Sequence, residues 1–243
     1  MIDIHCHILP DFDDGASTLE EAMTMIRMAV SSGVSGIVAT PHFRGDPQSL
    51  ALVPVLKQRR KLLEEAVRQT GLPIELYSGA EVLCMPQTVE MAQRNQLPTL
   101  GATRYVLTEF FFNETFGYMD EILTGIAQAG YIPVIAHPER YETIQRDPRR
   151  LARWFGKGFI IQLNKGSILG ALGHRAGMAA DWILSAGLAH LVASDAHSSD
   201  YRTTDMTALR ARLLDEYESD YVSILMDQNP ARLIRGEDMV PAL

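Results

Sequence analysis

Short apolar runs alternate along the chain with longer stretches whose apolar residues recur every three or four positions, the pattern of repeated strand and helix units around a parallel sheet. Seven runs read as strands, at 2–7, 36–42, 74–81, 105–110, 132–137, 159–164 and 191–195. The helical period predicts helices at about 18–33, 49–70, 86–94, 117–130, 148–157, 174–187, 203–217 and 219–226. Ser17 with Glu20 three residues on predicts a capping box for the first helix, and Pro86 opens the third. Gly33, Gly71, Gly130 and Gly187 each follow a helical stretch, where a left-handed helix stop belongs. No linker or low-complexity tract divides the chain, so one domain over 1–243 is expected. Seven strand–helix units in that length predict an α/β fold, a distorted (β/α)7 TIM-like barrel more than an open doubly wound sheet.

Composition narrows the function classes. With 47% hydrophobic residues, 243 positions suffice for one large core. The balance of 22 basic against 30 acidic side chains gives a net charge of −8, which argues against nucleic acid and anionic membranes as partners. The densest basic cluster is only Arg59, Arg60 and Lys61. Two cysteines, Cys6 and Cys84, make neither a disulfide framework nor a zinc-ribbon spacing, which favours a reducing compartment. No basic region followed by an apolar stretch opens the chain, and no apolar run reaches about 18 residues, so a soluble, cytoplasmic protein with no membrane insertion is expected.

The informative feature is where the metal-capable side chains fall. Five of the seven histidines, His5, His7, His42, His137 and His197, stand at or just past predicted strand ends. Glu81, Glu109 and Asp195 end strands three, four and seven, and Asp14 lies in the loop after the first. In a barrel of parallel strands every C-terminal strand end opens on one face, so these nine side chains would converge as a metal site. His5 and His7, two apart on a strand, point to the same side and can chelate one ion. Asp195 and His197 form a second such pair, while Asp11, Asp13 and Asp14 make an acidic turn beside the first. His174 and His190 read as structural. Arg140 follows His137 by three positions and Arg202 follows Asp195 by seven, so both can reach the same mouth unless each pairs with a nearby acid such as Glu139 or Asp205.

The motifs His5-Cys6-His7, Asp11 to Gly15, Thr40-Pro41-His42, Gly79-Ala80-Glu81, Glu109, His137-Pro138-Glu139-Arg140-Tyr141 and Ser194-Asp195-Ala196-His197 together resemble the polymerase-and-histidinol-phosphatase (PHP) superfamily. Within it the chain is similar to the bacterial CpsB-type protein-tyrosine phosphatases of capsule and exopolysaccharide synthesis, from residue 1 to Asn229-Pro230. The resemblance implies a distorted (β/α)7 barrel with three divalent metal ions, manganese first, with iron, cobalt or zinc as alternatives. It would place His5, His7, Glu81 and Asp195 on one ion, Glu81, Glu109 and His137 on a second, and Asp14, His42 and His197 on the third. It also implies Arg140 and Arg202 at the substrate phosphate. A phosphotyrosine protein is the implied partner, a bacterial tyrosine kinase with its C-terminal tail. A homo-oligomer stays open.

Mixed imidazole and carboxylate donors suit Mn²⁺, Fe²⁺, Co²⁺ or Zn²⁺ and give no strong preference for Mg²⁺. Three such ions outweigh the four carboxylates, so a phosphate dianion would be attracted despite the acidic chain. The expected reaction is in-line attack on phosphorus by a metal-activated hydroxide, with no covalent enzyme intermediate. A phenol leaving group, with a pKa of about 10, needs little protonation. Cysteine-based phosphatases need an arginine six positions after the nucleophile, and those positions here are Phe12 and Glu90. The rival enzyme is a small-molecule phosphatase of the histidinol-phosphate type, sharing the metals. A non-catalytic PHP binding module would betray itself by lost ligands, and none of the nine positions is lost. A nucleic-acid exonuclease of the same superfamily is disfavoured by the net charge.

Overall fold

Each predicted strand forms, but the second and third are broken in two. In the computed structural model, which describes residues 1–241, the chain runs through β1 (Ile2–Cys6), α1 (Leu19–Ser31), β2 (Gly36–Ala39), β3 (His42–Arg44), α2 (Val53–Thr70), β4 (Glu75–Ser78) and β5 (Glu81–Leu83). It continues through α3 (Pro86–Gln93), β6 (Tyr105–Glu109), α4 (Phe116–Gln128), β7 (Ile132–Ala136), α5 (Glu142–Arg146), α6 (Leu151–Gly156), β8 (Ile160–Asn164) and α7 (Lys165–Ile168). The last elements are α8 (His174–Ser185), β9 (Leu191–Ala193), α9 (Thr207–Glu216), α10 (Ser219–Ser223) and α11 (Asn229–Arg235). The expected span of 1–243 runs two residues outside the described ones. No helix among the described residues is long and apolar enough to cross a membrane.

The strands form two parallel sheets, in the orders β1-β2-β4 and β3-β5-β6-β7-β8-β9. The break between β2 and β3 falls at Thr40-Pro41, because a proline has no N–H to give a ladder. Beyond it the His42 N–H donates to Asp13 Oδ2 at 2.9 Å instead. The break between β4 and β5 includes Gly79, packed so closely that a Cβ there would meet Val38 Cγ1 at 2.7 Å. On its other flank β1 meets the segment after β9, where the Asp195 N–H donates to the His5 carbonyl and the His7 N–H to the Ala196 carbonyl, each at 2.9 Å.

One apolar cluster is bounded by strands of both sheets and contains Ile4, Val38, Leu107, Val134 and Leu191, closed by Leu233 of α11. A larger one lies between strands and helices and includes Ile26, Phe43, Leu63, Phe110 and Trp154. Strand alternation carries the inner rows onward into polar residues: Leu107 leads to Glu109, Ile160 to Gln162 and Asn164, and Leu191 through Ala193 to Asp195. β1 departs from simple alternation. Ile4 faces the inner cluster, yet His5 and His7 reach the same interior, because the register against β2 shifts between Asp3 and Cys6. Such a bulge re-aims side chains, and it turns Cys6 to the outer cluster.

Helix ends correct the expectations in detail. The cap of α1 is Thr18, whose Oγ1 accepts from the Glu21 N–H at 3.1 Å, one residue later than expected, while the Glu21 carboxylate accepts from the Ser17 N–H at 2.9 Å. Thr18 has the extended backbone that a cap requires at the first turn of the helix. The proline-led segments Pro47–Leu52 and Pro148–Arg150 are 3₁₀ turns before α2 and α6, and Pro138–Arg140 is another before α5. The helix expected to stop at 226 runs on through a π-helical turn, Ile224–Gln228, into α11. The four glycine stops all take positive φ, with Gly71 at 67° closing α2.

His190 is structural, as read. Burial pushes its imidazole down to about 4; the Ile161 N–H donates to its Nδ1 at 3.1 Å and Phe155 stacks on it at 4.9 Å. A ring whose pKa is depressed by folding stabilises fully above its unfolded value of about 6.5 and loses that contribution as pH falls towards 4, about 3 kcal/mol in all. His190→Asn keeps an acceptor without a titrating proton. It is expected to flatten the fall of unfolding free energy between those two pH values, and an unchanged slope in denaturant titrations would assign the effect elsewhere.

Candidate metal centre and active site

The nine side chains singled out in the sequence meet at the C-terminal ends of the strands, around Glu81 at the start of β5. Its Oε1 lies 2.9 Å from His137 Nε2 and 3.3 Å from His5 Nε2, and its Oε2 lies 3.2 Å from both His7 Nε2 and His42 Nδ1. Asp195 Oδ1 stands 3.4 Å from His5 Nε2 and 3.6 Å from His7 Nε2. Glu109 approaches His42 and His137, at 3.7 Å each. Asp14 Oδ1 joins His42 Nε2 at 3.3 Å and His197 Nε2 at 3.5 Å on the solvent side, where the His42 side chain is 41% exposed. Donor atoms fall within 4.8 Å of one another in four overlapping groups. His7 joins Asp14, His42 and His197; His5, His7 and Glu81 form a second; His5, His137 and Asp195 a third; His42, Glu81 and Glu109 a fourth.

Several residues that sequence reasoning missed fix these donors. His5 Nδ1 contacts Gln162 Oε1 at 2.9 Å, and the Gln162 Nε2 donates to the Leu163 carbonyl at 2.7 Å, so the amide oxygen is held towards the ring. That arrangement puts the proton on Nδ1 and leaves the Nε2 lone pair facing Glu81 and Asp195. His7 Nδ1 contacts Asp13 Oδ2 at 2.9 Å in the same manner. Asp13 also accepts the Gly15 and His42 N–H groups at 3.0 and 2.9 Å, so one carboxylate ties the acidic loop to two histidines. The loop lies so tightly on β1 that a Cβ at Gly15 would come within 2.0 Å of the His7 carbonyl oxygen. Asn164 donates through Nδ2 to Asp195 Oδ2. The available signals were Gln162 and Asn164 themselves, polar residues in an otherwise apolar buried strand.

The electrostatics call for positive charge. Burial pulls His5 and His7 down, yet nearby carboxylates prevail: Glu81 and Asp195 raise His5 to about 9, while Asp13, Glu81 and Asp195 raise His7 to about 10. Burial and the neighbouring Glu81 push Glu109 up to about 7. Asp13, although partly buried, is held at about 2 by His7. Two buried atoms, Asp195 Oδ1 and His137 Nδ1, have no hydrogen-bond partner among the described residues. The His5 and His7 Nε2 atoms confront each other at 3.3 Å. Converging imidazole nitrogens crowded by carboxylates, an orphaned carboxylate oxygen and a borderline N/O donor set fit divalent transition ions, which would displace the inward ring protons. His137, Asp195 and Arg202 also take left-handed backbone, at φ 35°, 49° and 56°, a cost concentrated at this site.

Both predicted arginines border the cluster. Arg140 Nη1 lies 3.5 Å from Asp195 Oδ2, and Arg202 Nη2 contacts the same oxygen. Neither pairs with Glu139 or Asp205: Glu139 is buried and accepts the Asn164 N–H at 3.0 Å, while Asp205 accepts the Thr207 N–H at 2.8 Å. The Arg140 guanidinium sits over the Phe112 ring, 4.3 Å from its centroid. Cys6 and Cys84 are buried, and burial pushes both thiols up, the reverse of what a nucleophile needs.

A family model for capsular polysaccharide synthesis, CpsB/CapC, matches residues 1–235. The chain belongs to the CpsB/CapC family. Among curated members, the tyrosine-protein phosphatase YwqE of Bacillus subtilis is 32% identical over 237 residues, covering 98% of this chain and 92% of YwqE. The tyrosine-protein phosphatase CpsB of Streptococcus pneumoniae is 29% identical over 244 residues, covering 98% and 99%. A crystal structure from work on YwqE and CpsB, described as unique metal-dependent tyrosine phosphatases, superposes with a TM-score of 0.88 at 31% identity, covering 99% of this chain and 96% of the other. HisK of Listeria monocytogenes shares the fold alone, at a TM-score of 0.53 and 12% identity over 81% of this chain.

Proposed function

We propose that this CpsB/CapC member is a metal-dependent protein-tyrosine phosphatase acting on a bacterial tyrosine kinase of capsular or exopolysaccharide synthesis, in the cytoplasm. The observation that carries the reading is the convergence of five histidines and four carboxylates around Glu81, with two arginines on its rim. We read the architecture as one domain over 1–243 forming a distorted (β/α)7 barrel. In support, β3 and β5 continue β2 and β4 past their breaks, and residues 195–196 join β9 to β1, so neighbouring pairings follow one another around a ring.

Three ions, manganese first, would be held by His5, His7, Asp14, His42, Glu81, Glu109, His137, Asp195 and His197. When bound, such ions supply Lewis acidity towards phosphate oxygens and make a water acidic enough to attack near neutral pH. Gln162 and Asp13 keep His5 and His7 in the tautomer that points Nε2 inward. Arg140 and Arg202 offer forked donors to the phosphate oxygens as negative charge grows there. Phe112 keeps the Arg140 guanidinium from swinging away. A departing phenolate needs no dedicated acid, which suits a site whose inward-facing histidines and carboxylates are all committed to the metal cluster.

The test compares the manganese-loaded protein on a phosphotyrosine peptide, the matching phosphoserine peptide and histidinol phosphate. The phosphotyrosine peptide is expected to lead in kcat/KM by roughly 100-fold. Equal or faster turnover of histidinol phosphate would reassign the site to small-molecule chemistry.

A further inference from the structure

Beside the metal cluster lies a second feature that ligand chemistry does not use. A cavity of about 370 Å³ begins at His42 and Glu109 and continues along Leu52, Leu83, Phe110 and Phe111. Its size lies in the range of small-ligand sites, and its walls beyond the two donors are mostly apolar. Exposed large hydrophobic side chains gather at its mouth: Leu52 is 41% exposed and Phe111 58%. A clustered apolar exposure beside a polar site marks a surface that something covers. Of the three phenylalanines after β6, Phe110 is buried and the other two divide the work. Phe112 gives its face to Arg140, whereas among the described residues no aromatic ring or cation stacks on Phe111.

We infer that this cavity seats the aromatic ring of the phosphorylated residue and that Phe111 is a residue that sets the preference for aryl over alkyl phosphates. The inference rests on the phosphatase reading and deepens it. A phosphoryl group attracted by ions that His42 and Glu109 would hold, and by the two arginines, would have its ester oxygen at the His42 and Glu109 end of the cavity. The group attached to that oxygen must then leave along the apolar wall. A phenyl ring covers that wall and displaces its water, with Phe111 available as an edge or face partner. An alkyl stem of serine length brings the polar peptide backbone against the same wall, where its N–H and C=O groups lose water without gaining partners. The cavity thus discriminates by what it covers and by what it leaves unsatisfied.

The experiment measures phenyl phosphate and propyl phosphate in parallel on the manganese-loaded protein and on Phe111→Ala, Leu52→Ala and Phe111→Tyr. The two esters differ in leaving-group acidity, so the informative quantity is how a substitution changes their kcat/KM ratio. Phe111→Ala is expected to lower the aryl-to-alkyl ratio about tenfold and Leu52→Ala about threefold, with Phe111→Tyr staying within about twofold. Titration calorimetry with benzylphosphonate and propylphosphonate gives the same comparison without turnover, and the Kd ratio is expected to shift in parallel. A ratio unmoved by Phe111→Ala overturns the inference. So does a parent protein that binds benzylphosphonate no more tightly than propylphosphonate. A parent that hydrolyses neither ester but loses its preference for benzylphosphonate on Phe111→Ala sinks the phosphatase reading and upholds the ring seat.

Discussion

Exhaustive removal of divalent ions is expected to bring phosphotyrosine turnover to background, and Mn²⁺, Co²⁺ or Fe²⁺ should restore it better than Mg²⁺. The reason is the donor set, five imidazoles with four carboxylates, which is too rich in nitrogen for an ion that demands oxygen and keeps its waters. Glu81 is the residue on which this result turns. Its two oxygens stand within 3.3 Å of four histidines, so no other carboxylate can take its place. Glu81→Gln keeps the shape but removes one negative charge and one acceptor. It is expected to hold kcat/KM down by roughly 1000-fold or more, about 4 kcal/mol, even after ions are returned. Elemental analysis of the refilled variant should show reduced metal per chain. Full activity in the stripped parent protein, or in Glu81→Gln, would end the metal mechanism.

Arg140→Ala and Arg202→Ala are expected to cost about 30-fold to 1000-fold in kcat/KM, the equivalent of about 2–4 kcal/mol of transition-state stabilisation for a forked, charge-assisted contact. Arg140 should show the larger loss, because Phe112 holds its guanidinium in place before substrate arrives. Arg140→Lys should recover only part of it, since an ammonium cannot reproduce the fork. The competing account is that both side chains merely neutralise Asp195, whose Oδ2 each of them contacts. Metal content and Tm separate the two accounts. If both are unchanged and kcat/KM stays within threefold of the parent, the arginine in question is not a phosphate contact.

Much of the site was legible because barrel-like folds expose strand ends, and the histidines and acids of this chain stand where apolar runs stop. Periodicity found every strand, and it could not find the breaks. Pro41 inside a run read as one strand was the available warning, for a residue without an N–H ends a ladder. Asp13 and Asp14 are adjacent and chemically alike, so the residue pattern alone does not separate them; the family resemblance sets Asp14 with His42 and His197, and only the tertiary path of the loop shows Asp13 on His7 and the backbone. The bulge in β1 was invisible for another reason: it depends on pairing with β2 and leaves no mark in the residues themselves. From the sequence Glu139 is a candidate ion-pair partner for Arg140, and it is buried beneath the site because the short 3₁₀ turn after His137 folds it inward.

The joining of β1 to residues 195–196 has a consequence for the order in which the molecule is made. The strand that carries His5 and leads into His7 has β2 on one side, and its other side is filled only by a segment that the ribosome adds much later; the Ser194 N–H reaches Asp3 across 191 residues. A nascent chain therefore holds an unpaired strand edge, the kind of surface that recruits wrong partners. Closing so long a loop adds little entropy beyond a loop half its length, about 0.6 kcal/mol, but such distant pairing folds slowly. Asp195 and His197 arrive with the same segment that covers the edge. Shielding from aggregation and completion of the candidate metal cluster are thus one event, and a chain cut short before it would lack both.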